Sequence, residues 1–143
     1  MKQTPAYLVL VFLFLGHLSL AQQMPVDFSD PSENFSSFLG SNFSLSTDPE
    51  NSSNTVGQFF NDGSNSWQGF YLDLQRAIDL DFQNTISLSF YGFDTNAHTV
   101  LIKLENGQNP DVEVTQNIPA GGGWTNNVVF DFSQAVLTDG GTP

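Results

Sequence analysis

The amino-acid sequence predicts an all-β fold, an antiparallel β-sandwich, and three observations support this prediction. Apolar residues come in short alternating bursts, spaced about ten residues apart, as in the strands of a sandwich. No segment sustains the 3.6-residue apolar period of a helix. Between the bursts, 12 Gly and many Asn, Ser and Asp residues mark turns. The hydrophobic fraction of 39%, with 14 Phe, is sufficient for a folded core.

The bursts predict about seven or eight strands in one domain that covers residues 22–143. Segment 34–48 has the weakest strand character. The linkers 61–65 and 105–110 are rich in Asn, Asp and Gly and are predicted to be hairpin loops. The segments with strand character are 24–28, 34–48, 55–60, 67–74, 78–81, 85–93, 99–104, 112–118 and 128–132.

Alternation along each strand assigns side chains to opposite faces of the sheet. Trp124 shares parity with Phe130 and Phe132 if no bulge intervenes, which predicts that Trp124 lies in the core. The outward positions mix aromatic rings with hydrogen-bonding groups, a combination that binds sugars on sheet faces. The predicted inward residues are Phe70, Leu72, Leu74, Ile86, Leu88, Phe90, Val100, Ile102, Leu104, Val112, Val114 and Ile118.

The N-terminus predicts a secreted protein, extracellular or at the cell surface. Met1-Lys2 is followed by the apolar run 7–15, about nine residues long and too short to span a bilayer. Ser19 and Ala21 supply the small residues that signal peptidase requires, so residues 1–21 are predicted to be a signal peptide cleaved after Ala21.

Composition excludes several classes of partner for the exported chain. The absence of Cys excludes disulfides and a lipid anchor attached through cysteine. The net charge of −12 makes nucleic acid and anionic membrane surfaces unfavourable partners. Neutral sugars and cations remain compatible with such a charge.

Seven short motifs occur in an order and spacing that resemble a known group of domains. They are Val26-Asp27-Phe28, Asp48-Pro49, Asn51-Ser52-Ser53, Val56-Gly57-Gln58-Phe59, Trp67-Gln68-Gly69, Ile78-Asp79 and Lys103-Leu104-Glu105-Asn106. The series resembles the secreted carbohydrate-binding-module-like β-sandwich domains of marine and soil Bacteroidetes.

This resemblance implies a galactose-binding-like jelly roll that binds polysaccharide or oligosaccharide. Such domains are usually attached to a polysaccharide-degrading glycoside hydrolase or to a C-terminal sorting domain. The family continues beyond the position of Ser133 into one or two further strands, so the resemblance implies that this chain is a fragment lacking them.

The candidate carbohydrate-binding residues lie on the outward faces. Parity places Trp67 and Tyr71 together, away from Phe70, although Trp67 could instead be a rim aromatic that covers the core. Tyr91 is outward on a later strand and has the same two interpretations.

A second candidate group is polar. Lys103, Glu105 and Glu113 are expected on neighbouring strands, where they could orient sugar hydroxyls or form an ordinary cross-strand ion pair. The resemblance also implies a structural Ca²⁺ site at Asp27, whose family partners lie in the strand that this chain lacks.

The sequence predicts that the protein is not an enzyme. Its two histidines are His17, in the signal peptide, and His98, so neither a His-based triad nor a multi-His metal centre can be built. The leading hypothesis is a secreted, non-catalytic carbohydrate-binding module that targets polysaccharide. The alternative is a structural or adhesive extracellular β-sandwich without a sugar site.

Overall fold

The structure, a computed structural model, describes residues 26–29, 35–74, 76–105, 107 and 110–138. The predicted signal peptide 1–21 lies outside the described residues, as does the start of the first predicted strand. In the described ranges, no helix is long and apolar enough to cross a membrane.

The described residues confirm the predicted all-β, antiparallel fold. Their regular structure consists of β-strands and a short 3-10 helix, and every strand pair is antiparallel. The elements are β1 (Phe35–Phe38), β2 (Asn42–Asp48), β3 (Asn51–Phe60), β4 (Gly69–Leu72), β5 (Thr85–Gly92), β6 (His98–Leu104), β7 (Asp111–Ile118), β8 (Gly123–Asp131), the 3-10 helix (Phe132–Gln134) and β9 (Val136–Thr138). The described strands group into two compact units, and the prediction of a single domain over 22–143 stays a prediction.

The N-terminal unit, within Met1–Arg76, contains the pair β1–β4 and the hairpin β2–β3. Its packing is aromatic. Phe35 of β1 stacks on Phe43 of β2 with ring centroids 4.5 Å apart, and Phe70 of β4 lies 4.6 Å from Phe43 and 5.4 Å from Phe59 of β3. Phe28 joins the cluster through Phe35 and Phe43, so rings from both strand pairs form one apolar layer.

The C-terminal unit, within Ala77–Pro143, is a sandwich of two sheets, β5–β8 and β6–β7–β9. Phe130 of β8 is fully buried, and Val114 of β7 and Phe132 pack with it. Apolar side chains from both sheets surround these three residues, which confirms the inward assignment of Ile86, Leu88, Val100, Ile102, Leu104, Val112 and Val114. Burial of such side chains is the main stabilising contribution to the unit.

A β-bulge interrupts the β5–β8 pair. Leu88 is aligned with Val128, whereas Phe90 is aligned with Thr125, so β8 has one residue more than β5 between these two pairs. An extra residue reverses the parity of every side chain beyond it. Trp124 is therefore aligned with the outward Tyr91, and the prediction that Trp124 lies in the core is wrong.

Three further sequence predictions concern connections and segment ends. The hairpin at 105–110 is confirmed, since β6 pairs with β7 across it, but 61–65 is not a hairpin because β3 pairs with β2 and β4 pairs with β1. Segment 78–81 is a turn rather than a strand, in which the Asp79 carbonyl accepts hydrogen bonds from two following amides. Leu74 lies beyond the end of β4 and is exposed.

Candidate functional site

An aromatic patch formed by Tyr91, Phe93 and Trp124 lies on the outer face of β5–β8. The Tyr91 and Trp124 rings are aligned across the two strands, with centroids 5.3 Å apart and planes at 72°. Phe93 contacts Tyr91 at 5.1 Å and 67°, and it is 71% exposed. The three rings thus form angled walls rather than one flat surface, with Phe93 exposed and Tyr91 and Trp124 half-buried.

Two loops at the end of the sheet support the patch. The carbonyl oxygen of Asp94 lies so close to Gly122 that a Cβ there would stand 2.7 Å from it, and Gly122 also has a φ of +70°. Glycine meets both requirements because it has no Cβ. The Asp94 carboxylate accepts a hydrogen bond from the Asn96 amide at 2.8 Å and lies 3.0 Å from His98 Nε2. The hydrogen bonds, that of the Asn96 backbone first, lower the pKa of Asp94.

Polar side chains lie beside the rings. The bulge residues Asn126 and Asn127 are opposite Ser89, and all three are exposed. Their side chains make no hydrogen bond to the described part of the protein, so their donors and acceptors are available to a ligand. Rings beside unused amide and hydroxyl groups are the combination that binds a sugar.

The predicted residues Trp67 and Tyr71 belong to the N-terminal unit. Trp67 is 72% exposed, and Tyr71 is also exposed, on the face of β4 opposite Phe70. Next to Trp67, the Gln68 amide donates to the Leu39 carbonyl at 2.9 Å and to Asp62 at 2.7 Å. The loop that carries Trp67 is therefore fixed by its own polar side chains, while the indole faces solvent.

The predicted polar cluster assembles on the β6–β7 pair. Lys103 Nζ lies 3.0 Å from a carboxylate oxygen of Glu105 and 3.0 Å from one of Asp111, and Glu113 is aligned directly opposite Lys103. The hydrogen bonds that Lys103 donates, to Glu105 first and then to Asp111, raise the pKa of Lys103. Asp111, which sequence reasoning did not single out, is the buried partner, with a side chain 11% exposed.

The Asp27 carboxylate lies at an exposed turn. It accepts hydrogen bonds from Ser29 Oγ at 2.6 Å and from the Ser29 amide at 3.0 Å, and these bonds lower its pKa. Within the described ranges, no group of three or more His, Cys, Asp or Glu side chains could hold a metal ion. Asp27 therefore belongs to no such group within these ranges, and a Ca²⁺ site at Asp27 stays a prediction.

The structure joins only some of the predicted site residues. Tyr91 gains Trp124 as a neighbour, Lys103 pairs with Glu105, and Glu113 is aligned opposite Lys103. Trp67 and Tyr71 lie in the other unit. Trp124 was missed because its parity depends on the bulge, whose sequence signal is the pair Asn126-Asn127; Asn127 has a φ of +56°, and Asn tolerates the left-handed region better than most residues.

Comparisons with known protein families, curated proteins and solved structures return no match to this chain. Its proposed function therefore depends on the geometry of the described residues and on the sequence.

Proposed function

We propose that the protein is a secreted, non-catalytic carbohydrate-binding module that targets polysaccharide. The observation that supports this most strongly is the aromatic patch beside the unused polar groups of Ser89, Asn126 and Asn127. Rings bind the apolar faces of pyranoses, and amide and hydroxyl groups bind their hydroxyls. The predicted signal peptide and the resemblance to carbohydrate-binding-module-like domains point in the same direction.

The angles between the rings favour one kind of glycan. Tyr91 is inclined by 72° to Trp124 and by 67° to Phe93, so a ligand must fit between inclined walls. A single soluble chain or a chain end can do this, whereas the flat surface of a crystalline polysaccharide requires coplanar rings. The acidic charge of the protein, −12, disfavours polyanionic glycans and leaves neutral chains as the ligand class.

The module acts by proximity. A bound glycan chain keeps the protein, together with a linked glycoside hydrolase or the cell surface that carries it, near insoluble or dilute polysaccharide, which raises the effective concentration of substrate.

His98, the one histidine after the predicted cleavage site, packs against Phe90 and pairs with Asp94 in the supporting loop. This placement suits a structural role for His98.

Affinity electrophoresis against laminarin, agar and xylan tests the proposal. We expect at least one neutral polysaccharide to retard the wild type, and Trp124→Ala to weaken the affinity by about tenfold or more, as for a central aromatic contact. Phe82→Ala is the matched control, because Phe82 is an exposed ring outside the patch. No retardation by any of the three polymers would favour the structural or adhesive module, whereas equal retardation of Trp124→Ala and wild type would exclude the aromatic patch as the binding site.

A further inference from the structure

The outward face of the β2–β3 hairpin carries an open groove of about 300 Å³, lined by Asn42, Ser44, Gln58 and Phe60. The lining residues form two neighbouring cross-strand pairs, Asn42 with Phe60 and Ser44 with Gln58. We name this feature the hairpin groove.

The hairpin groove is held in place by the aromatic layer on the other face of the same strands. Phe43 alternates with Asn42 and Ser44, and Phe59 alternates with Gln58 and Phe60. Both Phe43 and Phe59 contact Phe70 in that layer. The backbone beneath the groove is therefore anchored by core packing. The lining side chains project from two hydrogen-bonded strands whose positions are fixed.

The chemistry of the lining is that of a sugar contact. Within the described part of the chain, the side chains of Asn42, Ser44 and Gln58 form no hydrogen bonds with other protein groups. Each amide offers donors and an acceptor, and the hydroxyl offers both. Beside them, the Phe60 ring is 63% exposed. The groove thus combines one exposed aromatic ring with unused hydrogen-bonding groups on a rigid sheet.

The lining of the groove is uncharged, which favours an uncharged ligand. Asp48 is the one ionisable residue in β2 and β3, and its buried carboxylate accepts hydrogen bonds from the Glu50 amide and from Asn54 at the far end of the hairpin. None of the four lining residues has an ionisable side chain, so none could pair with a charged ligand. An uncharged polyhydroxylated molecule matches these groups, since it brings hydroxyls to the amides and an apolar ring face to Phe60.

We propose that the hairpin groove is a second carbohydrate subsite, which takes a short segment of a neutral glycan independently of the aromatic patch. This inference rests on the proposed function, because it names a further site for the same class of ligand. Its volume lies at the lower end of small-molecule sites, about 300 to 1,000 Å³, which suits a short segment rather than a long chain. A protein with two such sites binds a polymer more tightly than a single sugar by avidity.

Isothermal titration with hexasaccharides of laminarin, agarose and xylan, using the full chain, tests this proposal. We expect two hexasaccharides per wild-type chain and one per Trp124→Ala chain. The double variant Gln58→Ala/Phe60→Ala should also bind one, and the combination of all three substitutions should bind none. Because Phe60 and Gln58 are exposed, these variants should keep the melting temperature of the wild type.

The side-chain amide signals of Asn42 and Gln58 in an NMR titration of Trp124→Ala provide a second readout. They should shift on addition of the hexasaccharide that binds. Wild-type stoichiometry of one, with binding lost in Trp124→Ala and unchanged in Gln58→Ala/Phe60→Ala, overturns the groove proposal and leaves the proposed function intact. Absence of binding by every variant and the wild type overturns both.

Discussion

Lys103 pairs with two carboxylates that differ in exposure. Its ammonium group joins the exposed Glu105 and the nearly buried Asp111, 3.0 Å from each. A buried carboxylate that loses its cation has to bear its desolvation cost, whereas an exposed one is solvated by water. The two carboxylates should therefore contribute unequally to stability.

We predict that Lys103→Met lowers the free energy of unfolding by about 1 to 3 kcal/mol, because Asp111 is left buried without its partner. Glu105→Gln should change it by less than about 1 kcal/mol, since that pair is exposed. Urea denaturation at neutral pH measures both. The raised pKa of Lys103 means that its contribution is complete at neutral pH and is lost only as the pH rises through the folded-state value.

The same variant separates the two interpretations of Lys103. If Lys103 acts only as an ion-pair partner, folded Lys103→Met should be retained by polysaccharide as strongly as the wild type. If Lys103→Met loses retention while Glu105→Gln keeps it, the ammonium group is instead a sugar contact.

At the scale of elements, β2 and β3 depend on one glycine beneath a ring. A Cβ on Gly57 would lie 2.5 Å from Cζ of Phe43 and 2.9 Å from Phe28, so the two rings pass directly over the backbone. We predict that Gly57→Ala lowers the free energy of unfolding by about 1 to 3 kcal/mol through overpacking. In the background of Phe43→Leu, which has a smaller side chain, the same substitution should cost less, and a double-mutant cycle by urea denaturation measures the difference. Equal costs in both backgrounds would contradict this account.

The bulge in β8 is the element that creates the aromatic patch. Insertion of one Ser between Ser89 and Phe90 would give β5 as many residues as β8 between the Leu88–Val128 and Phe90–Thr125 pairs, which turns the Trp124 side chain toward the face of Leu88. We predict that the insertion variant, in a Trp67→Phe background, shows blue-shifted tryptophan emission and is retained by polysaccharide as weakly as Trp124→Ala. Deletion of Asn127 also removes the bulge but leaves Trp124 opposite Tyr91, so it should keep the emission maximum of the wild type. Unchanged or red-shifted emission in the insertion variant, with the melting transition intact, would contradict the proposed role of the bulge.

The sequence predicts those elements whose signal is local. Alternation places Ile102 and Val114 in the core because nothing interrupts β6 or β7, and the loop between these strands contains turn residues that form a hairpin. The partner of β4 is not predictable in this way, because its pairing with β1 joins distant segments through the packing of Phe35 and Phe70. The candidate site follows the same rule. Tyr91 follows from strand parity, but Trp124 depends on a bulge.

At the scale of the whole molecule, exposed turns repeatedly use an aspartate that accepts a hydrogen bond from the amide two residues later. Such bonds stabilise the charged form of the carboxylate and compensate for a turn whose amides lack sheet partners. Asp79 accepts such a bond from the Asp81 amide. In four further turns the pKa of the aspartate is lowered, by Ser29 for Asp27, by Ser64 and Gln68 for Asp62, by Asn96 and His98 for Asp94, and by Ser133 for Asp131. These four aspartates are Asp27, Asp62, Asp94 and Asp131.

These aspartates predict how stability depends on acid. Because their folded-state pKa values lie below the ordinary 3.8, the unfolded chain binds more protons in this range, so stability falls as the pH falls. We expect a nearly constant melting temperature above about pH 5 and a steep decrease as the pH passes below the unfolded value and through the lowered ones. Calorimetry across this range measures the curve. Asp→Asn at all four positions keeps a side-chain acceptor for each turn but removes its titration, so the variant should show a shallower decrease. An equally steep decrease in that variant would mean that acid lability arises from other carboxylates.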